Sequence, residues 1–288
     1  MSFDKYERQG AYHWLETDAG SKQYNPPLVA RYQVLLDQIE SGSVLDVGAG
    51  DGYLSAQLAK TCEQVIALEY ESAGATLAKR MLSASPNVAV LRGDTFQLPL
   101  ADACLDQVVM ADVIEHLDNA ALAVKEVARV LKPGGRFLLT TPMWRPDRVW
   151  DRYHVKEYRP EELHELLGEE FGTLSFSYFW PLKWSNRYST RIGWRLLKIL
   201  GRLGFNPFLR GSNEPEGFGQ MMVVATGQKQ AVASPASGSP VLDSSDFDSS
   251  DFDSSVLDNP VLDNPVLDSP ALNRPALDNP ESDSGVIP

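Results

Sequence analysis

Three glycines at alternate positions, Gly48, Gly50 and Gly52, separate the apolar run Val44-Leu-Asp-Val47 from a segment near Tyr53 that reads as a helix start. Glycine permits a sharp turn and lets a ligand lie against bare main chain at a helix N-terminus. Strand, glycine turn and helix together make a nucleotide-cofactor site, but the spacing is G-x-G-x-G, not the dinucleotide G-x-G-x-x-G. Asp46 stands in the strand just before the turn and Asp51 lies within it. Two carboxylates there would repel a pyrophosphate, whereas a ligand with an ammonium group and a sulfonium centre is tolerated. S-adenosylmethionine is such a ligand. Its methyl is already strongly electrophilic, so methyl transfer asks the protein mainly to hold an acceptor in line and exclude water.

Other chemistry-bearing residues fall where such a site needs them. Glu69 closes the run Gln64-Val-Ile-Ala-Leu-Glu69, close to the offset of about 20 residues at which a ribose-binding acid follows a glycine loop. Asp94, with Thr95 and Phe96, follows Val88-Ala-Val-Leu-Arg92 and is placed to meet an adenine edge. An oxygen acceptor must also lose a proton, which calls for a base. His116, beside Glu115, follows the run Leu105–Ala111 near the expected mouth of the site. It reads either as a base or acceptor-positioning group, or as a helix-start histidine making a local hydrogen bond. His164 is expected at the surface. Asp118-Asn119 suggests paired oxygen ligands, but no third hard ligand stands at useful spacing, so no metal is expected.

The elements that position these residues follow from hydrophobic pattern. Runs at 44–47, 64–69, 88–92, 105–111 and 136–141 alternate with helical segments, which predicts a doubly wound parallel α/β sheet. A helix is expected from about Asn119 to Leu131, stopped by Lys132-Pro-Gly-Gly135. Further expectations are a helix over 160–167, a sixth strand over 173–180 and a last strand over 220–226. Asn25-Pro-Pro27 reads as a helix start running to about Ile39. The Asn-Pro-Pro of amino-group DNA methylation is followed by an aromatic that stacks a flipped base, and Leu28 stands there instead. Tyr12, His13 and Trp14 form either a flap over the cofactor or a surface cluster.

Asp46-Val-Gly-Ala-Gly-Asp-Gly52, Glu69, Gly93-Asp94, Asp112-Val-Ile-Glu-His116 and Arg129-Val-Leu-Lys-Pro-Gly-Gly-Arg136 resemble, in order, the motifs of class I S-adenosylmethionine-dependent methyltransferases. The resemblance covers about residues 28 to 170. The closest subgroup is small-molecule enzymes similar to the ubiquinone and menaquinone biosynthesis methyltransferases. It implies a Rossmann-like, mostly parallel seven-stranded sheet with an antiparallel last strand. It implies that Asp46, Gly48, Ala49 and Gly50 hold the methionine end of the cofactor, Glu69 the ribose, and Asp94 and Thr95 the adenine. Asp112 would lie beside the transferring methyl. In the family the stretch containing His154 and Tyr158 commonly borders the acceptor pocket, which makes them further catalytic candidates.

Between Trp180 and Glu216 comes a basic and aromatic insert, with cap boundaries expected at 181–216. Arg191, Arg195, Lys198 and Arg202 share one helical stripe, and Ile192, Leu196, Ile199 and Leu203 the next, widened by Leu197 and Leu200. The preferred reading is a helix that packs its apolar stripe on the domain or caps the acceptor pocket. The other is peripheral contact of residues 187–210 with an anionic membrane.

The chain carries a formal charge of −13, and residues 230–288 hold eleven acids against one base. This tail repeats a pentamer of the form Val-Leu-Asp-Asn-Pro from Val256 to Pro280. Proline at each fifth residue and repelling aspartates predict disorder. It reads as a solvating extension or as a protein-docking tail. Domain boundaries are thus expected at 1–229 and 230–288. With the acidity in the tail and no basic groove beyond the insert, nucleic acid is not an expected partner. Two cysteines, a polar N-terminus and no bilayer-length apolar run predict a cytoplasmic protein with free thiols. The expected function is methyl transfer to a small molecule, lipid-, quinone- or glycan-linked. The alternatives are a protein methyltransferase, or a non-catalytic scaffold docking through the tail.

Overall fold

The computed structural model describes residues 5–228; the repeat tail and its expected docking role lie outside the described residues. Seven strands form one sheet: β1 (Ser43–Val47), β2 (Gln64–Glu69), β3 (Val88–Arg92), β4 (Leu105–Ala111), β5 (Leu131–Pro142), β6 (Phe171–Pro181) and β7 (Phe218–Gln228). Their order is β3-β2-β1-β4-β5-β7-β6. Strands β1 to β5 pair in parallel, and β7 runs antiparallel to both β5 and β6. The chain order reverses between β1 and β4, and in sheets of this kind ligands lie at the carboxyl ends of the strands beside that reversal.

Consecutive residues of each strand face opposite sides, so helices cover both faces. Val108, Leu139 and Val223 pack with Val124 and Val127 of α6 (Ala120–Val130) and with Leu163 and Leu167 of α7 (Pro160–Gly168). Their neighbours Val109, Leu138 and Met222 pack on the other face with Leu28, Tyr32 and Leu35 of α3 (Pro26–Leu36) and Leu54 and Leu58 of α4 (Tyr53–Leu58). Each fully buried Leu or Val contributes on the order of 1.5–3 kcal/mol over an exposed one. The remaining helices are α1 (Lys5–Gln9), α2 (Tyr12–Thr17), α5 (Ser72–Met81), α8 (Leu182–Tyr188) and α9 (Arg191–Arg202).

Asn25 caps α3, its side chain accepting from the Leu28 N–H with prolines in the first turn. Asn-Pro-Pro is therefore a helix start, as its residue types suggest. Strand β5 begins five residues earlier than the sequence suggests. Leu131 pairs with Leu105, the ladder shifts, and Arg136 pairs with Gln107. Lys132-Pro-Gly-Gly135 is thus an irregularity inside the strand, with Gly134 at φ 81°, not a turn ahead of it.

Candidate active site at the carboxyl edge

Glycines 48, 50 and 52 follow β1 with φ of 72°, 59° and 79°, a region that favours glycine over any residue with a Cβ. At Gly48 the requirement is double, because a Cβ would stand 2.6 Å from Val113 Cγ2. The turn is tied to the neighbouring strand: the N–H groups of Gly48 and Ala49 both donate to the Leu68 carbonyl, and the Gly50 N–H donates to Glu69 Oε2 at 2.7 Å.

Asp46 is fully enclosed and accepts from Ser55 Oγ at 2.6 Å. Burial, reinforced by the charge on Glu69, raises its carboxyl to about 7. Glu69 is raised as well, chiefly by burial and against the pull of backbone N–H donors from Glu71 and Gly50. Two buried acids kept from ionising freely are an environment that gains from an incoming cation. Beyond β3, Asp94 Oδ1 accepts from the Phe96 N–H at 2.9 Å and Thr95 is buried beside it. Along the sheet edge, in the order β3, β2, β1 and β4, stand Asp94–Thr95, Glu69, Asp46 and Asp112.

Asp51 does something else. Its carboxylate accepts from the His13 backbone N–H at 2.9 Å and sits 3.1 Å from His13 Nδ1, while its carbonyl accepts from Trp14 Nε1. Asp51 is buried against the N-terminal helices, so it anchors them on the glycine turn. Tyr12 is buried, and Tyr6 packs over Gly50, its ring stacked 5.7 Å from that of Tyr12. The N-terminal aromatics thus pack on the glycine turn, Tyr6 over Gly50 and His13 and Trp14 against Asp51.

At the end of β4, Asp112 takes a left-handed φ of 52°, a strained conformation for a residue with a side chain. It is held by Arg31 at 2.8 Å, Thr140 Oγ1 at 2.8 Å and Gln220 Nε2 at 3.3 Å. Glu115 follows, buried at 1% exposure, with Oε2 accepting from Thr141 Oγ1 at 2.9 Å and Oε1 without a partner among the described residues. Burial first, and then the neighbouring Asp112 charge, raise its carboxyl well above the usual range.

His116 stands 3.2 Å through Nδ1 from the Tyr153 carbonyl, and burial lowers its pKa. Its ring centroid is 4.9 Å from that of His154, whose Nδ1 lies 2.8 Å from Glu157 Oε1. The two histidines, separated by β5 in sequence, are brought together because the Glu115 carbonyl accepts from the N–H groups of Val155 and Lys156. Tyr158 lies in the core with Leu163 and Leu167, and burial raises its phenol. His164 is exposed, as expected. Asn119 caps α6 by accepting from the Leu122 N–H.

Arg31 and Gln220 were not expected here. Arg31 lies three residues after Leu28 and one before Tyr32, on the apolar stripe of its helix, where a charge is anomalous. Gln220 similarly interrupts an apolar strand. Arg31 also lies 5.6 Å from the Trp180 ring centroid. Arg31 Nε, Trp180 Nε1 and Gln220 Oε1 are buried without partners among the described residues.

The insert departs from its expected packing. Helix α9 buries Leu197 and Lys198 and rests on Ala30 and Phe208 through Leu197 and the half-buried Leu200. The stripe expected to pack inward, Ile192, Leu196, Ile199 and Leu203, is exposed, with Ile192 at 81% and Leu203 at 77%. The periodicity located an apolar stripe but not the side that the domain covers.

Residues 45–139 match the methyltransferase domain family Methyltransf_11. A relative from Mycolicibacterium smegmatis, named as a probable S-adenosylmethionine-dependent methyltransferase, is 39% identical over 141 residues, covering 47% of this chain and 54% of the relative. A demethylmenaquinone methyltransferase from Beutenbergia cavernae is 33% identical over 118 residues, 40% of this chain and 48% of that one. The chain spans about half the length of these relatives. The crystal structure of the Bacillus subtilis YcgJ protein shares the fold, with TM-score 0.52 and 19% identity over 69% of this chain and 99% of that one. No helix among the described residues is long and apolar enough to cross a membrane. Sheet order and sequence match fall on the same segment: residues 45–139, which hold the acid-edged glycine turn, are similar to a methyltransferase domain family.

Proposed function

We propose that the chain transfers the methyl of S-adenosylmethionine to a small-molecule acceptor that is lipid-, quinone- or glycan-linked. The observation that carries this reading is the run of acids along four adjacent strand ends, with Asp46 and Glu69 both raised by burial. Asp46, Gly48, Ala49 and Gly50 would take the amino-acid end, Glu69 the ribose, and Asp94 and Thr95 the adenine. Asp112, fixed by Arg31, Thr140 and Gln220, would border the methyl. The acceptor would enter between Asp112, Glu115 and Trp180, where the unpartnered Arg31 Nε, Trp180 Nε1 and Gln220 Oε1 offer hydrogen bonds to a polar ligand. His116, kept neutral by burial, is the base candidate, with His154 positioned beside it and Tyr158 behind. The demethylmenaquinone methyltransferase among the relatives supports a quinone-like acceptor. Calorimetric titration of the full chain tests the reading: one cofactor per chain is expected, and no heat at millimolar S-adenosylmethionine would favour a scaffold.

A second reading concerns where the acceptor is met. The exposed stripe of α9 continues into Phe205, also exposed, and Arg191, Arg195 and Arg202 flank it. No acid occurs between Glu170 and Glu214 in a chain of net charge −13. Apolar side chains beside unneutralised bases suit an anionic lipid surface. Flotation with phosphatidylglycerol vesicles is expected for the native chain and lost in Ile199→Glu/Leu203→Glu; equal flotation of both would remove the membrane from this picture.

A further inference from the structure

We propose that Glu115, His116 and His154 form a binding site for one divalent transition-metal ion, placed to hold an acceptor oxygen for methylation. The role assigned to the ion rests on the methyltransferase reading; the site itself does not. One ligand atom from each of the three side chains lies within 4.8 Å of the others, so side-chain movements of up to about 1 Å would bring them to the spacing of about 3.3–3.6 Å set by bonds of about 2.0–2.2 Å to one tetrahedral ion.

The donor chemistry is set before any ion arrives. A carbonyl oxygen only accepts, so the contact between His116 Nδ1 and the Tyr153 carbonyl puts the proton on Nδ1 and leaves the lone pair on Nε2. Glu157 Oε1 does the same for His154 at 2.8 Å, and is itself fixed by the Trp150 N–H at 2.7 Å. An imidazole whose Nδ1–H is held by a carbonyl or carboxylate is the usual form of a metal-ligating histidine. Glu115 supplies the independent sign. It is 1% exposed, its Oε2 is bound by Thr141, and its Oε1 has no partner among the described residues. The side chain that carries this unpartnered oxygen has a ligand atom close to one of each imidazole, and a cation bound there would satisfy it.

Two imidazoles and one carboxylate suit zinc, manganese, cobalt or iron(II) better than magnesium or calcium. Three protein ligands leave coordination positions open, the pattern of catalytic rather than structural sites. An acceptor hydroxyl bound there would lose its proton to solvent more readily. The acceptor oxygen then bonds the methyl carbon as the carbon–sulfur bond breaks, its electron pair returning to sulfur to give S-adenosylhomocysteine. The Asp118-Asn119 pair considered from sequence is not part of this site.

Cobalt(II) is the probe. Untagged full-length protein, stripped with EDTA and dialysed, is titrated with Co²⁺ while its d–d absorption is recorded, and S-adenosylmethionine binding is measured on the same preparation. The native chain is expected to take up one Co²⁺, with visible bands displaced by Zn²⁺. Glu157→Gln should weaken uptake by about 10–100-fold, and Glu115→Gln and His154→Ala by more, with cofactor binding retained. His154 lies on the segment after β5, so its variant keeps the test informative if Glu115→Gln fails to fold. Absence of Co²⁺ uptake by protein that binds the cofactor, or equal uptake by native chain and His154→Ala, overturns the proposal. Co²⁺ uptake without cofactor binding would support the site and count against the methyltransferase reading.

Discussion

With Asp46 at the amino-acid end of the cofactor, as proposed, cofactor binding is linked to pH in a way that can be worked from the structure. Burial raises its carboxyl to about 7, so in the empty site it is about half ionised at neutral pH. The cofactor's ammonium, with an ordinary α-amino pKa of about 7.7–8.0, stays charged below that value. Binding therefore draws on the ionised form of Asp46 and releases a proton when the carboxyl arrives protonated. The ionised fraction is about 3% at pH 5.5 and about 50% at pH 7.0, so affinity should rise about 15-fold between them, or about 1.6 kcal/mol. Glu69, raised in the same direction, adds slope of the same sign. Calorimetry in buffers of different ionisation enthalpy reads both the Kd and the released proton. Asp46→Asn should bind weakly and lose its share of the slope. It should also be more stable than the native chain above pH 7. A carboxyl with a folded pKa above its unfolded value favours the fold when protonated, and that contribution is lost as pH rises from about 4 to about 7. The upper bound of the gain is about 4 kcal/mol. A Kd flat from pH 5.5 to 7.0, or a full slope retained by Asp46→Asn, would refute the reasoning.

Other outcomes follow from particular contacts. Gly48→Ala must place a Cβ against Val113 at a left-handed φ, and should cost about 2–4 kcal/mol in urea unfolding as well as cofactor affinity. Asp51→Ala removes the acceptor of two His13 contacts; limited proteolysis should then cut the first 20 residues sooner, with the remaining domain intact. His116→Ala should leave the cofactor Kd within about twofold and lower kcat by about 10²–10⁴, as loss of a positioned base does and as loss of a ligand would if the lone pair on Nε2 is spent on a metal ion instead; unchanged turnover would remove this histidine from both roles.

The placement of the proposed cofactor residues was legible because it is local. Strand, glycine turn and helix are contiguous, and the acids at 46, 69, 94 and 112 each close a parallel strand. A doubly wound sheet brings such ends to one edge whatever the loops between them do. The surroundings of Asp112, proposed to border the acceptor, were not legible. Arg31, Gln220 and Thr140 reach Asp112 from three separate elements, and only a charge on an apolar stripe or an amide in an apolar strand hinted at them. Lys132-Pro-Gly-Gly135 reads as a stop signal, yet the chain resumes pairing with β4 through a bulge, because backbone groups beside a strand are satisfied at least cost by that strand.

Sequence by itself determined the order of elements, the bare-backbone turn and the acidic sign of the edge, since these depend on residue type and short spacing. Tertiary structure alone decided that Asp51 faces the N-terminal helices, that His154 stands against His116, and which side of α9 is covered. Periodicity fixes the faces of a helix relative to each other, but only the position of the helix on the domain determines which face loses its water.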